Sequence, residues 1–110
     1  MAGMLFRKFN TNVQGGQWDG QTILAVWNKA TIVPGVNAAV RRKDACGAWI
    51  DWDKYGNTVH HSNGWEIDHI KPVASGGADI IPNLQPLQWQ NNRTKGDMWP
   101  GNNYCSVRAS

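Results

Sequence analysis

Apolar and polar positions along this chain change period several times, and each change marks an expected element. Ile23, Trp27 and Ala30 recur at helical spacing, and Asp19 stands where an N-cap belongs. A packing helix is therefore expected from about Gln21 to Ala30, ended by Pro34 and Gly35. Asn37 to Val40 suggest a short helix carrying the basic triplet Arg41, Arg42 and Lys43. Ala48, Ile50 and Trp52 alternate with Trp49, Asp51 and Asp53, as in a strand that runs into a turn at Tyr55, Gly56 and Asn57, with Thr58 to His61 as its returning partner. A second hairpin follows. Trp65, Ile67 and His69 fall on one face of its first strand, with Glu66, Asp68 and Ile70 on the other. Pro72 predicts an early end to that strand, and Gly76 and Gly77 permit a tight reversal. Leu84 to Gln88 read as the return, and a helix runs from about Trp89 to Gly96, with Trp89 packing it onto the hairpin. Residues 1–18, with Leu5, Phe6 and Phe9 beside polar neighbours, read either as a short strand or as a loose arm, and residues 98–110 as a loose end.

Composition narrows the class. A chain of 110 residues with 41% apolar and 17% charged residues, including seven tryptophans, is expected to form one domain, residues 1–110. The start, MAGMLFRKFN, has no long apolar run, and no stretch approaches the roughly 18 apolar residues of a membrane span. The expectation is a cytoplasmic protein without a membrane partner, unless a targeting segment was cut away. The two cysteines, Cys46 and Cys105, form no CxxC pair, so a thiolate zinc site has little support. Two free or buried thiols are expected in a reducing compartment. The alternative is a mixed site with His60 or His61, which otherwise read as loop residues. Asp51 and Asp53 share a side of their strand, either as ligands or as solvated acids.

Net charge is only +3, and the stretch from Trp65 to Asp97 carries −1, so the basic excess lies elsewhere. Arg7, Lys8, Arg41, Arg42 and Lys43, together with Arg93 and Lys95 of the last helix, are candidate nucleic-acid contacts. The bland alternative is solvated surface.

The chemistry concentrates in GWEIDHIKPVASGGADIIPNLQPLQWQNNRTKGD. Asp68 and His69 close a strand, Asn83 follows fourteen residues after His69, and Asn92 and Lys95 share a helix face at i and i+3. In that order these residues resemble the HNH endonuclease family, small phage or bacterial type. The resemblance implies an α+β protein with a ββα-metal core (the HNH or His-Me finger), here with an N-terminal helix and an extra β-hairpin. It also implies His69 as general base, Asn83 as support for the loop and the base, and Asp68 and Asn92 as ligands of one divalent cation. Asn92 stands where many members have a third His, which favours a hard, oxygen-ligated ion. Magnesium is expected, with manganese substituting and zinc less suited.

The residues support that chemistry on their own terms. Hydrolysis of a phosphodiester needs an activated water, neutralisation of phosphoryl charge and help for the leaving 3′ oxygen, and one cation serves the last two. An imidazole with an ordinary pKa near 6.5 accepts a proton at neutral pH. Lys95 is expected to reach the phosphate, whereas Glu66, on the face of Asp68, reads first as an ordinary strand residue, with support of the site or a further ligand as the alternative. The expected substrate is DNA, double-stranded by preference, cut by a monomer, a homodimer or a larger nuclease complex. The competing reading is a nucleic-acid-binding ββα module without catalysis.

Overall fold

Asp19 starts the first helix as an N-cap should: its carboxylate accepts from Thr22 N at 2.7 Å, which satisfies one of the free amides of the first turn. That helix, α1 (Gly20–Trp27), is shorter than expected, because Asn28 closes it on Leu24 O. Ala30 follows in a turn yet still enters the core beside Ile23 and Trp27. The computed structural model describes residues 7–101 and 103–109, so Leu5 and Phe6 lie outside the described residues. After α1 come β1 (Arg41–Lys43), β2 (Trp49–Asp51), β3 (Trp65–His69), β4 (Leu84–Gln88) and α2 (Trp89–Lys95). β1 pairs with β2 and β3 with β4, in two separate antiparallel sheets.

The first hairpin corrects the sequence reading. Asn37 to Val40 form a turn rather than a helix, and the basic triplet is itself the strand β1. Arg41 faces Asp51, Arg42 faces Ile50 and Lys43 faces Trp49. Thr58 to His61 pair with no strand and stay in a loop. The reason is Asp44. Its buried carboxylate accepts from Cys46 N and Ala48 N through one oxygen, and so folds the reversal that brings β1 onto β2. Alternation in residues 48–53 was legible, but it could not say which neighbour would pair.

The second hairpin forms from the two expected strands, in a register that runs from Trp65 opposite Gln88 to His69 opposite Leu84. Trp65, Ile67 and Leu84 pack with Trp27, Val26 and Ile50 into the main core. Trp27 and Trp65 lie 5.3 Å apart and Tyr55 meets Trp65 edge-on at 5.0 Å, within the range of favourable ring pairing. Lys29 ties α1 to the second hairpin, its ammonium donating to the carbonyls of Ile81 and Leu84. Trp89, expected to pack α2 onto the hairpin, meets His60 edge-on at 5.4 Å, and its backbone N–H donates to Gly64 O beside β3. Among the described residues no helix is long and apolar enough to cross a membrane.

The thiols and the chain ends also depart from expectation. Cys46 and Cys105 are joined as a disulfide with their Cα atoms 5.4 Å apart, neither free nor in a metal site. The segment after α2 is docked rather than loose: Asn91 accepts from Val107 N at 2.8 Å and donates to Val107 O at 2.9 Å, and Ala109 N reaches Gly47 O. At the other end Asn10 anchors the arm, its Oδ1 accepting from Ile67 N and from the Tyr55 hydroxyl. The cross-link closes a separation of 59 residues, a loop for which chain-entropy reasoning gives about 4 kcal/mol. Protein purified without reductant should show no reactive thiol, and Cys46→Ser with Cys105→Ser should unfold at a lower urea concentration. Thiol titration and equilibrium unfolding check both expectations, and a wild type whose midpoint ignores reductant would contradict them.

Candidate functional site

The site is built on the outer face of β3, where Glu66 and Asp68 are both buried. Two carboxylates cannot be held out of water without partners. Helix α2 supplies them, since positions 92, 93 and 95 come round onto the strand. Asn92 donates through Nδ2 to Glu66 Oε1 at 3.0 Å, and Arg93 pairs with Glu66 Oε2 at 3.0 Å. Lys95, itself buried, lies 3.2 Å from Asp68 Oδ2 and donates to the carbonyl of His69 at 3.0 Å. Gln85, across the hairpin, donates to the same Asp68 oxygen at 2.9 Å. Burial pushes the Asp68 carboxyl above its ordinary range, and the Gln85 bond and the Lys95 ammonium pull it back only in part.

These contacts revise two roles. Lys95 was expected at the phosphate, but its ammonium is spent inside the protein, pinning the end of β3 and balancing Asp68. Glu66 orients Asn92: with the amide nitrogen held, the carbonyl oxygen is the atom left to face the cavity that Asn92 lines. Arg93 is likewise engaged, and its guanidinium also covers Phe9 at 4.4 Å.

Strict alternation separates Asp68 from His69, but the strand ends at His69 and both open onto one cavity. The turn that ends it is held by Asn83. Its side chain accepts from Lys71 N at 2.8 Å and donates to the carbonyls of Lys71 and Ala78, so it closes the loop across its base. Gly77 is required there, because a Cβ would stand 1.7 Å from Lys71 O. The closed loop carries Asp79 back to His69, with Oδ1 2.7 Å from Nε2. An ionised carboxylate only accepts, so the neutral imidazole keeps its proton on Nε2 and leaves Nδ1 as the acceptor. Asp79 also accepts from Val13 N of the arm at 3.1 Å, and the Trp18 ring lies 5.5 Å from that of His69. Sequence reading missed Asp79. Its only signal was an acid just past a Gly-Gly reversal, which spacing alone does not distinguish from a loop acid.

The cavity, of about 550 Å³, is lined by Asp68, His69 and Asn92, with Asp97 beside them and Arg7 and Lys8 from the arm. Among the described residues no group of three or more His, Cys, Asp or Glu side chains is placed to hold a metal ion. The oxygen donors that a cation could use here are the Asp68 carboxylate and the Asn92 carbonyl, with water to complete its shell. Of the other predicted contacts, Arg42 turns inward: it donates to Ala38 O at 2.8 Å and lies over Trp27. Arg41 pairs with Asp51 at 2.6 Å, and Lys43 sits 4.8 Å above the Trp49 ring. The triplet is thus a strand edge apart from the cavity, with Arg41 its most outward charge.

The unit of β3, β4 and α2 thus sets an imidazole, a carboxylate and a carboxamide on one cavity. The resemblance read from the sequence is borne out, since residues 46–98 match the family model described as HNH endonuclease. The chain thus carries an HNH segment running from the disulfide to just past α2, and at that coarse level the match supports nuclease activity on nucleic acid. No curated protein and no solved structure matches the chain.

The buried pair yields a stability test. Lys95→Met leaves Asp68 buried with its countercharge gone and should destabilise by about 3–5 kcal/mol in urea unfolding. In EDTA, a carboxyl whose folded pKa is raised favours folding below its unfolded value near 3.9 and loses that contribution as pH rises through the folded value. Asp68→Asn lacks this loss, so its unfolding midpoint relative to wild type should climb with pH over that window. A pH-independent difference would refute the assignment.

Proposed function

We propose that this chain is a divalent-metal-dependent endonuclease that hydrolyses phosphodiester bonds in DNA, with a ββα-metal finger formed by β3, β4 and α2. What supports the reading is the meeting of Asp68, His69 and Asn92 on one cavity, with Arg7 and Lys8 beside it. His69 takes the proton of the attacking water at Nδ1 while Asp79 holds Nε2 and stabilises the imidazolium that results. The water oxygen bonds to phosphorus, the bond from phosphorus to the 3′ oxygen breaks, and the electron pair leaves with that oxygen. A divalent cation, magnesium by preference, when held by Asp68 and Asn92, supplies charge neutralisation to the phosphoryl and leaving oxygens. Asn83 keeps the loop closed so that Asp79 stays on the imidazole, and Glu66 keeps the Asn92 oxygen turned to the cavity. Arg7 and Lys8 attract the backbone, which makes affinity fall as salt rises.

One observation favours the second reading, a binding module without catalysis: the Lys95 ammonium already neutralises Asp68. Supercoiled plasmid separates the two. With magnesium or manganese the wild type should nick it, EDTA should stop nicking, and His69→Ala should lose about 10²- to 10⁴-fold in rate with its thermal unfolding unchanged. Asp79→Ala should lose less than His69→Ala, since the base survives without its orienting partner. DNA binding with no cut product under any divalent metal would defeat the nuclease reading in favour of the module.

A further inference from the structure

Two residues past the cavity lining stands an exposed aromatic ring, Trp99. Trp99 is 45% exposed although it is among the largest apolar side chains of the protein. It follows Asp97, which lines the cavity, by two residues, a span of at most about 7 Å. The Lys71 ammonium lies 5.2 Å from the centre of its ring, and Lys71 precedes Pro72, another cavity-lining residue. Lys71 is itself placed by Asn83, which is bonded to both its N–H and its carbonyl. The cation therefore lies over one face of the indole from a backbone that Asn83 ties down, while at 45% exposure a large part of the ring stays open to solvent.

That asymmetry selects an occupant. A side chain that wedges between stacked base pairs needs both faces, whereas a ring with one face occupied offers room for a single base. A base in uninterrupted duplex has both its own faces covered, so only an unpaired or extruded base can use such a platform. The cation on the far face also brings positive charge towards the backbone of the strand that carries that base. We propose that Trp99, held by Lys71, is a stacking platform for one base next to the scissile phosphate, so that the cavity takes single-stranded or locally opened nucleic acid in preference to intact duplex. The inference rests on the cavity being a nucleic-acid site, and it narrows the substrate beyond DNA in general.

Fluorescence polarisation with one labelled oligonucleotide, single-stranded and then fully paired, tests it in EDTA and in the His69→Ala background, where nothing is cut. The single strand should bind more tightly than the duplex. Trp99→Ala should weaken the single strand about 5- to 100-fold, the range of base stacking on an aromatic ring, and Trp99→Phe should keep most of the affinity. Thermal unfolding of Trp99→Ala should match its parent, which separates lost stacking from lost structure. Equal loss on both forms would mean a wedge, and no loss on either would mean plain surface; each overturns the platform. If Trp99-dependent binding of the single strand appears while no metal supports cleavage, the nuclease reading fails and the platform stands. If plasmid is nicked and Trp99→Ala binds and cuts like its parent, the platform alone fails.

Discussion

Two carboxylates on the outer face of a five-residue strand dictate much of this structure. Glu66 and Asp68 are buried, and the helix that follows the hairpin places a carboxamide, a guanidinium and an ammonium upon them. Desolvated acids so close together repel each other and lose their water, which makes the position of α2 a requirement rather than one packing choice among several. Once α2 is set by those contacts, Asn92 has its nitrogen engaged and its oxygen free, and Lys95 holds the carbonyl of His69. The same ties that make the acids tolerable therefore position the groups that chemistry would use.

The inner face of the same strand does ordinary work. Trp65 and Ile67 fill the main core with Trp27 and Ile50, burial that typically stabilises by about 1.5–3 kcal/mol for each large apolar side chain. The strand is thus fastened on one side by apolar area and on the other by charge. His69, at its end, escapes the alternation because the chain turns there, and the turn is kept by an Asn side chain bonded three times across the loop. A mobile loop would let Asp79 swing away and leave the imidazole free to rotate.

A second, smaller assembly secures the start of α2. Asp44 accepts from Cys46 N and Ala48 N on one oxygen, and from Gln88 N and Asn91 Nδ2 on the other. Asn91 then holds the C-terminal segment, which the disulfide attaches to the same turn. Asn91 and Asn92 are adjacent on the helix and so project about 100° apart, one bonded to the tail and its turn, the other lining the cavity.

Much of this was legible in the sequence. Period-two alternation marked β3 and β4, and helical spacing and Asp19 marked α1, because each depends on residues close in the chain; the ordered set Asp68, His69, Asn83 and Asn92 carried the family resemblance. Local pattern could not choose among distant partners. It paired Ala48 to Trp52 with Thr58 to His61 rather than with the basic triplet, and it left the two cysteines as separate thiols. It also set Lys95 at the phosphate and passed over Asp79. Those outcomes turn on which groups meet after the chain has closed on itself: a cation's role depends on the nearest desolvated carboxylate, and an imidazole's tautomer on the acceptor that reaches it. Chain spacing carries the identity of such groups, and only the packed structure carries their distances.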